Sequence, residues 1–304
     1  MQLSNVQLYI ATVLIWGSTF FAIKFQLGSV DEGVSVAYRF AMAAALLFAW
    51  CWYKGLNLRF SLTQHLFMAA QGSTLFGINY LLVYLGTHNL TTGLVAVVFS
   101  MIVFMNILNN RLFFGQKPDA KVLFGAVFGL VGIGLVFWPE LANLQTGKAT
   151  LTALGFAVAG MVVASFGNAL SAHNQRSQLP VMQTNAWGMT YGALLLGAYA
   201  LWQGQSFALP ADAAYWTSLV YLAVFGSILA FGAFLTLLGK IGSEKAAYAM
   251  ILFPIVALSI STVFEGYQWS STALIGVALV LFGNLLVIAK KLPLISSFMP
   301  AKSS

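Results

Sequence analysis

"FGQKPDAKVLFGAVFGLVGIGLVF", residues 114–137, and "EGYQWSSTALIGVALVLFGNLLVI", residues 265–288, decide how this chain is read. Laid over one another they bring Gly125 onto Gly276 and Gly132 onto Gly283, an offset of 151 residues. An earlier pair, "LGTHNLTTGLVAVVFSMIVF" from Leu85 and "LGKIGSEKAAYAMILFPIVA" from Leu238, agrees at an offset of 153, so an indel of two residues separates the pairs. Shared glycines and a shared loop pattern, added to shared hydrophobicity, point to an internal duplication rather than to a chance likeness of leucine-rich helices.

Composition says what is duplicated. Of the 304 residues 60% are hydrophobic and 7% charged, and the mean hydropathy is +0.87. A soluble domain carries roughly 25% charged residues, so an integral membrane protein is implied. Its apolar runs repeatedly reach about 20 residues, the length a helix needs to cross a bilayer. An outer-membrane barrel would alternate apolar and polar residues instead. The net charge of +7 reads as membrane topology rather than as a nucleic-acid surface. The single cysteine, Cys51, allows no intrachain disulfide. The N-terminus lacks the basic region and cleavage site of a secretory signal, so its first apolar run is expected to be a retained helix.

Cutting at charges and at Gly, Pro and Asn clusters gives ten expected spans: 5–26, 34–53, 64–85, 91–113, 119–138, 150–173, 181–203, 213–239, 244–265 and 271–290. The expected fold is thus an all-α membrane domain over 1–304, with repeats at 5–138 and 150–291. Each repeat has an odd number of spans, so the two enter the membrane in opposite directions, and inverted repeats place a substrate site near the midplane. Lys54, Arg59, Arg111, Lys117, Lys121, Arg176, Lys240, Lys245, Lys290, Lys291 and Lys302 fall on one side, and Asp31, Glu32, Glu140, Asp212 and Glu265 on the other, with Lys24 and Lys148. The positive-inside rule then puts both termini in the cytoplasm, in the cell membrane.

"WGSTFFAIK" in the first span, "YRFAMAAALLFAW" in the second, and the two stretches quoted at the outset resemble the EamA-type branch of the drug/metabolite transporter superfamily. The resemblance spans nearly the whole chain. It implies a ten-helix carrier with a central cavity and alternating access, most often an exporter of amino acids or related small metabolites; uptake and multidrug efflux occur on the same fold. The family's acidic residue after the Gly of its "lgE" segment is replaced here by Gln116 and Tyr267.

Trp16 and Ser18 lie deep in the first span, where helix packing explains them and the resemblance adds a cavity role. Asn79, with neighbouring Tyr80, and Asn168 fall near midplane in different halves, as substrate-binding amides would, although interhelical hydrogen bonds also account for single asparagines. Ser100 and Tyr248 complete the cavity candidates. Pro254 is a candidate hinge. His173 and Glu265 are candidates for coupling, although a wet helix end is the simpler explanation of each. Lys24 reads as a snorkelling anchor. Arg39 lies deep enough to want a partner, with Asp31 or Glu32 offering an outer latch.

The expected function is secondary transport of a neutral, zwitterionic or amphipathic solute, coupled to protons or to an exchanged solute. No Walker pattern indicates ATP use; "TGKAT" at 146–150 lacks the first glycine. An intramembrane enzyme would need metal-binding acids or an acid–base pair, whereas His65, His88 and His173 are scattered, so no catalytic residue, metal or cofactor is expected. A passive channel is the remaining alternative. Substrate identity, and monomer against homodimer, stay open at this level.

Overall fold

The computed structural model describes residues 4–115, 120–138, 147–241 and 249–288, which form helices joined by short turns, with no strand among them. Tyr248, Lys117, Glu140, Lys245, Lys290, Lys291 and Lys302, named above, lie outside the described residues. In chain order the helices are α1 Asn5–Lys24, α2 Glu32–Tyr53, α3 Leu62–Gly72, α4 Asn79–Thr87, α5 Thr92–Ser100, α6 Ile102–Phe114, α7 Ala120–Val136, α8 Gly147–Arg176, α9 Val181–Trp202, α10 Ala213–Tyr221, α11 Ala230–Ile241, α12 Ala249–Phe264 and α13 Ser271–Ile288. The π-helical stretch Ser73–Ile78 joins α3 to α4, and Leu222–Leu229 joins α10 to α11.

Six helical stretches are long and apolar enough to cross a membrane, namely Asn5–Lys24, Glu32–Tyr53, Leu62–Thr87, Thr92–Asn109, Gly147–Arg176 and Ala213–Phe234. Three shorter apolar ones, Phe124–Val136, Leu252–Phe264 and Ser271–Leu286, add to them. Helix α9 has the length but carries Gln183, Thr184, Asn185 and Thr190, which dilute its hydropathy.

Local chemistry sets the helix ends. Ser4 and Ser61 each accept from the backbone N–H three residues on while Gln7 and Gln64 return the bond, two capping boxes that satisfy orphan donors. Asp212 accepts from the N–H of Ala214 at 2.9 Å. Inside the bundle, hydroxyls fold back on the preceding turn, as in Thr12 to the Leu8 carbonyl (2.8 Å) and Thr87 to that of Val83 (2.7 Å). Such bonds hide polar atoms from lipid. At the end of α2, Trp52 and Tyr53 are 83% and 75% exposed, and the Lys54 ammonium lies 5.0 Å from the Trp50 ring. An aromatic girdle with a basic neighbour is the usual furniture of a membrane interface.

Packing follows a pairing rule. Helix α2 packs on α9, α5 on α12 and α7 on α13; α1 packs on α12 and α11, and α8 on α4 and α6. The α7–α13 contact is made by the repeated glycines. A Cβ at Gly132 would come within 2.6 Å of the Gly276 carbonyl, one at Gly276 within 2.5 Å of the Gly132 carbonyl, and one at Gly283 within 2.5 Å of the Gly125 carbonyl. Only glycine lets the backbones approach so closely. The two π-helical stretches carry "FG" at Phe76-Gly77 and at Phe225-Gly226.

Candidate functional site

Helix α2 carries Arg39 seven residues beyond its first residue, about 10 Å along the axis, and the side chain is 1% exposed. Its Nε donates to Ser227 Oγ at 3.2 Å. The guanidinium carbon stands 4.4 Å from the centre of the Tyr80 ring and 5.1 Å from that of Phe40. Its Nη1 is buried with no hydrogen-bond partner.

The π-helical turn explains Ser227. Its hydroxyl donates to the Leu222 carbonyl five residues back, at 3.0 Å, which leaves the oxygen lone pairs for the arginine. Gly226 alongside leaves room for the guanidinium: a Cβ there would lie 3.2 Å from Arg39 Nη2 and 2.7 Å from Thr19 Cγ2. Tyr84, one turn past Tyr80, is fully buried. Its hydroxyl makes no hydrogen bond of good geometry, but it faces the Arg39 guanidinium closely enough to interact with it both by charge and by hydrogen bonding.

No carboxylate among the described residues pairs with Arg39. Glu32, the first residue of α2, instead meets His88 Nε2 at 2.5 Å, and Asp31 is exposed. The latch expected between Arg39 and that acidic pair is therefore not made, since seven to eight residues of helix keep them about 10 Å or more apart along the axis. A guanidinium does not shed its proton, so the bundle holds a positive charge faced by aromatic rings and the hydroxyls of Ser227 and Tyr84.

A row of rings leads away from it. Tyr80 and Phe40 are 4.8 Å apart, Phe40 and Phe76 5.4 Å, Phe76 and Phe231 5.4 Å, Phe231 and Trp16 5.2 Å, and Trp16 and Phe234 5.1 Å. Two of the expected cavity residues, Trp16 and Tyr80, thus belong to one aromatic row with the cation at one end. Ser18 Oγ sits 2.6 Å from the Tyr221 hydroxyl, bridging α1 to α10.

Other candidates are held in helix contacts. Asn79 donates to the Leu75 carbonyl at 3.2 Å, while its Oδ1 is buried and unpartnered. Asn168 donates to Asn106 Oδ1 at 3.3 Å. Asn79 packs its backbone against Gly160, eight residues from Asn168 and so about 12 Å along α8; the structure does not bring the two amides together. Ser100 accepts from Asn284 at 3.1 Å and donates to the Val97 carbonyl at 2.7 Å, a pair that fastens α13 to α5. His173 lies against the Phe67 ring at 4.3 Å. Pro254 is inside α12, next to Phe253, which stacks on Phe20 at 5.6 Å.

Glu265 does more than end a helix. Its side chain is 3% exposed and pairs with Lys24 Nζ at 3.3 Å. It also accepts from the Thr92 N–H at 3.0 Å and the Thr92 hydroxyl at 2.7 Å, and from the Ser261 hydroxyl. Lys24, expected to be a lone anchor, is the ionic partner of this knot between α1, α5 and the end of α12. Two further polar clusters were not foreseen. Gln26 donates to the Tyr215 carbonyl at 2.8 Å and to the Ser218 hydroxyl, and Ser35 meets the Tyr215 hydroxyl at 3.0 Å. Gln71 donates to Asn185 at 3.3 Å and accepts from Asn174 at 2.9 Å. Sequence reasoning missed Ser227; the signal that could have found it is the second "FG", in "VFGSIL", set against the first in "LFGINY".

The profile of the EamA-like transporter family matches residues 3–138 and 151–289. The chain belongs to that family. It is 28% identical over 280 residues to YedA of Escherichia coli (strain K12), which bears the description uncharacterized inner membrane transporter, covering 91% of this chain and 88% of YedA. It is 21% identical to PagO of Salmonella typhimurium (strain LT2), covering 95% and 94%. Similarity to YoaV of Bacillus subtilis (strain 168), an uncharacterized transporter, is 25%, covering 82% and 84%. A solved crystal structure shares the fold with a TM-score of 0.67 at 16% identity, covering 93% of this chain and 95% of its own. Membership makes this a membrane-embedded member of a transporter family, a role that calls for no catalytic residue.

Proposed function

We propose that the chain is a secondary transporter of small organic solutes in the cytoplasmic membrane. In this reading ten spans form two inverted five-helix halves, both termini are cytoplasmic, and solute crosses by alternating access.

One observation carries it: the two buried polar clusters occupy matched places. Gln26 and Asn174, Gln71 and Ser218, and Ser35 and Asn185 are related by offsets of 148, 147 and 150 residues. Each cluster ties α3 or α10 of one half to the first two spans of the other half. The first lies at the end of the bundle that holds Glu32 and Glu265, the second toward the end that holds Arg59 and Arg176. Matched clasps at opposite faces are what a rocking carrier needs, because parting one face breaks one clasp and leaves the other closed. The paired glycines of α7 and α13 and the two "FG" π-helical stretches support the same two-fold relation.

Cargo and direction rest on the family resemblance, which favours export of amino acids or related amphipathic metabolites, driven by protons or by an exchanged solute. Counterflow in proteoliposomes with a labelled metabolite panel, with and without a pH gradient, tests the reading. Saturable exchange is expected. Flux that rises linearly with concentration would leave a channel instead.

A further inference from the structure

We infer that Arg39 is the receptor for a carboxylate of the transported solute, and that the cargo is an organic monoanion with an aromatic or apolar body. The inference rests on the transporter reading of the same bundle and names the chemistry of its site.

Three observations converge. First, the charge is unspent. Arg39 is buried, its Nη1 has no partner, and among the described residues it forms no ion pair. A fixed cation in low dielectric is costly unless an anion visits it. Second, the fold does not ask for it. The offset of 150 that pairs Ser35 with Asn185 pairs Arg39 with Met189, one turn further along α9. Met189 is fully buried, so an uncharged side chain of similar length satisfies the equivalent packing. Third, the surroundings suit one kind of ligand. Tyr84 sets a buried hydroxyl beside the guanidinium, Ser227 orients the guanidinium, and the ring row from Tyr80 to Trp16 supplies an apolar wall beside it. No carboxylate in this group would receive an ammonium. A guanidinium gives a carboxylate two donors in the right plane, and rings take the body.

Access follows from position. Arg39 lies where α2 packs on Leu222–Leu229, a contact between the two halves, so parting the halves uncovers it. The neutral, zwitterionic or amphipathic class expected from sequence narrows accordingly to net-anionic amphiphiles.

The test is equilibrium binding to the purified full chain in lipid nanodiscs. The probes are tritiated 3-phenylpropionate, phenylalanine and phenethylamine, which share a body and differ in head charge. Saturable binding of 3-phenylpropionate is expected, with phenylalanine weaker and phenethylamine absent. Arg39→Met is expected to weaken it about 30-fold or more while unfolding at the same temperature as the parent or higher. Arg39→Lys keeps the charge and loses the planar fork, so it retains partial binding. Preference of the parent for phenethylamine or phenylalanine would overturn the inference, as would Arg39→Met that binds normally. Unfolding of both Arg39→Met and Arg39→Lys would overturn it too, by making the arginine structural. Saturable counterflow of a zwitterion or cation alone sinks this inference and spares the transporter. Anion binding without exchange of any solute sinks the transporter and spares the site.

Discussion

Replacing Glu265 with Gln keeps the shape of the outer knot and removes its charge. The carboxylate accepts from the Thr92 backbone and hydroxyl at 3.0 and 2.7 Å and from Ser261, and meets Lys24 at 3.3 Å. A hydrogen bond to a charged group contributes about 1.5–3 kcal/mol, and one between neutral groups about 1 kcal/mol. Glutamine turns its NH2 on at least one donor it used to accept from, so the buried part of the knot weakens by about 2 kcal/mol. The Lys24 side chain is 51% exposed, and its screened pairing adds at most about 1 kcal/mol. At about 1.4 kcal/mol per tenfold, the equilibrium between tied and parted ends shifts roughly 30- to 140-fold toward parting. Thr19 is buried beside Gly226 and Arg39, so Thr19→Cys in a Cys51→Ser background reports on entry from outside. A membrane-impermeant maleimide added outside is expected to label it at least about tenfold faster once Glu265→Gln is present. An unchanged labelling rate in well-folded protein would reduce Glu265 to a helix cap and remove the outer gate from the mechanism.

Gly276→Val is expected to abolish folded protein, measured as monodisperse material in detergent, because even its Cβ would lie 2.5 Å from the Gly132 carbonyl. Gln71→Leu strands the Asn174 and Asn185 amides in the bundle; at about 1–3 kcal/mol for each unsatisfied group, the unfolding temperature falls, and restoring it takes Asn174→Leu and Asn185→Leu together. Reporter fusions at either terminus are expected to give cytoplasmic signals only, as the clustering of Lys54, Arg59, Arg111 and Arg176 requires; a periplasmic signal at one end would break the even number of spans.

Helix positions were legible because the bilayer imposes one length and one polarity on every span. Expected bounds such as 213–239 and 181–203 fall within two residues of Ala213–Ile241 and Val181–Trp202. The π-helical turns were not legible, since "STLFGI" and "LAVFGSIL" are apolar runs that an ordinary α-helix would also accept. Partners were the larger loss. Nothing in the spacing of Lys24 and Glu265 announces an ion pair across 241 residues, and the nearness of Asp31 and Glu32 to Arg39 in sequence suggested a pair, whereas Glu32 meets His88 and Arg39 turns to Ser227. Single polar residues in spans could be ranked by depth, but whether Asn168 meets Asn106 or a solute depends on helix rotation, which hydropathy does not fix.

The knot at Glu265 also bears on direction. The offset of 151 that superposes the closing helices places Phe114 opposite Glu265, so the other face has no carboxylate at the matching position. The hydrogen-bonded clasps come as a pair and bias neither face; the ionic knot is found once among the described residues and, in the proposed orientation, adds its free energy to closure of the outer face. On the proposed mechanism that free energy favours the form of the empty carrier in which the outer ends are tied. A solute anion that neutralises Arg39 removes charge from the contact between α2 and Leu222–Leu229 without touching the knot, so loading and outer opening are separate steps linked only through the rocking of the halves. Glu265→Gln should thus speed outer labelling of empty carrier while leaving the affinity for 3-phenylpropionate within a few-fold, whereas Arg39→Met should do the reverse. If both substitutions change both readouts together, the knot and the cation belong to one cooperative unit, and the assignment of separate roles to them fails.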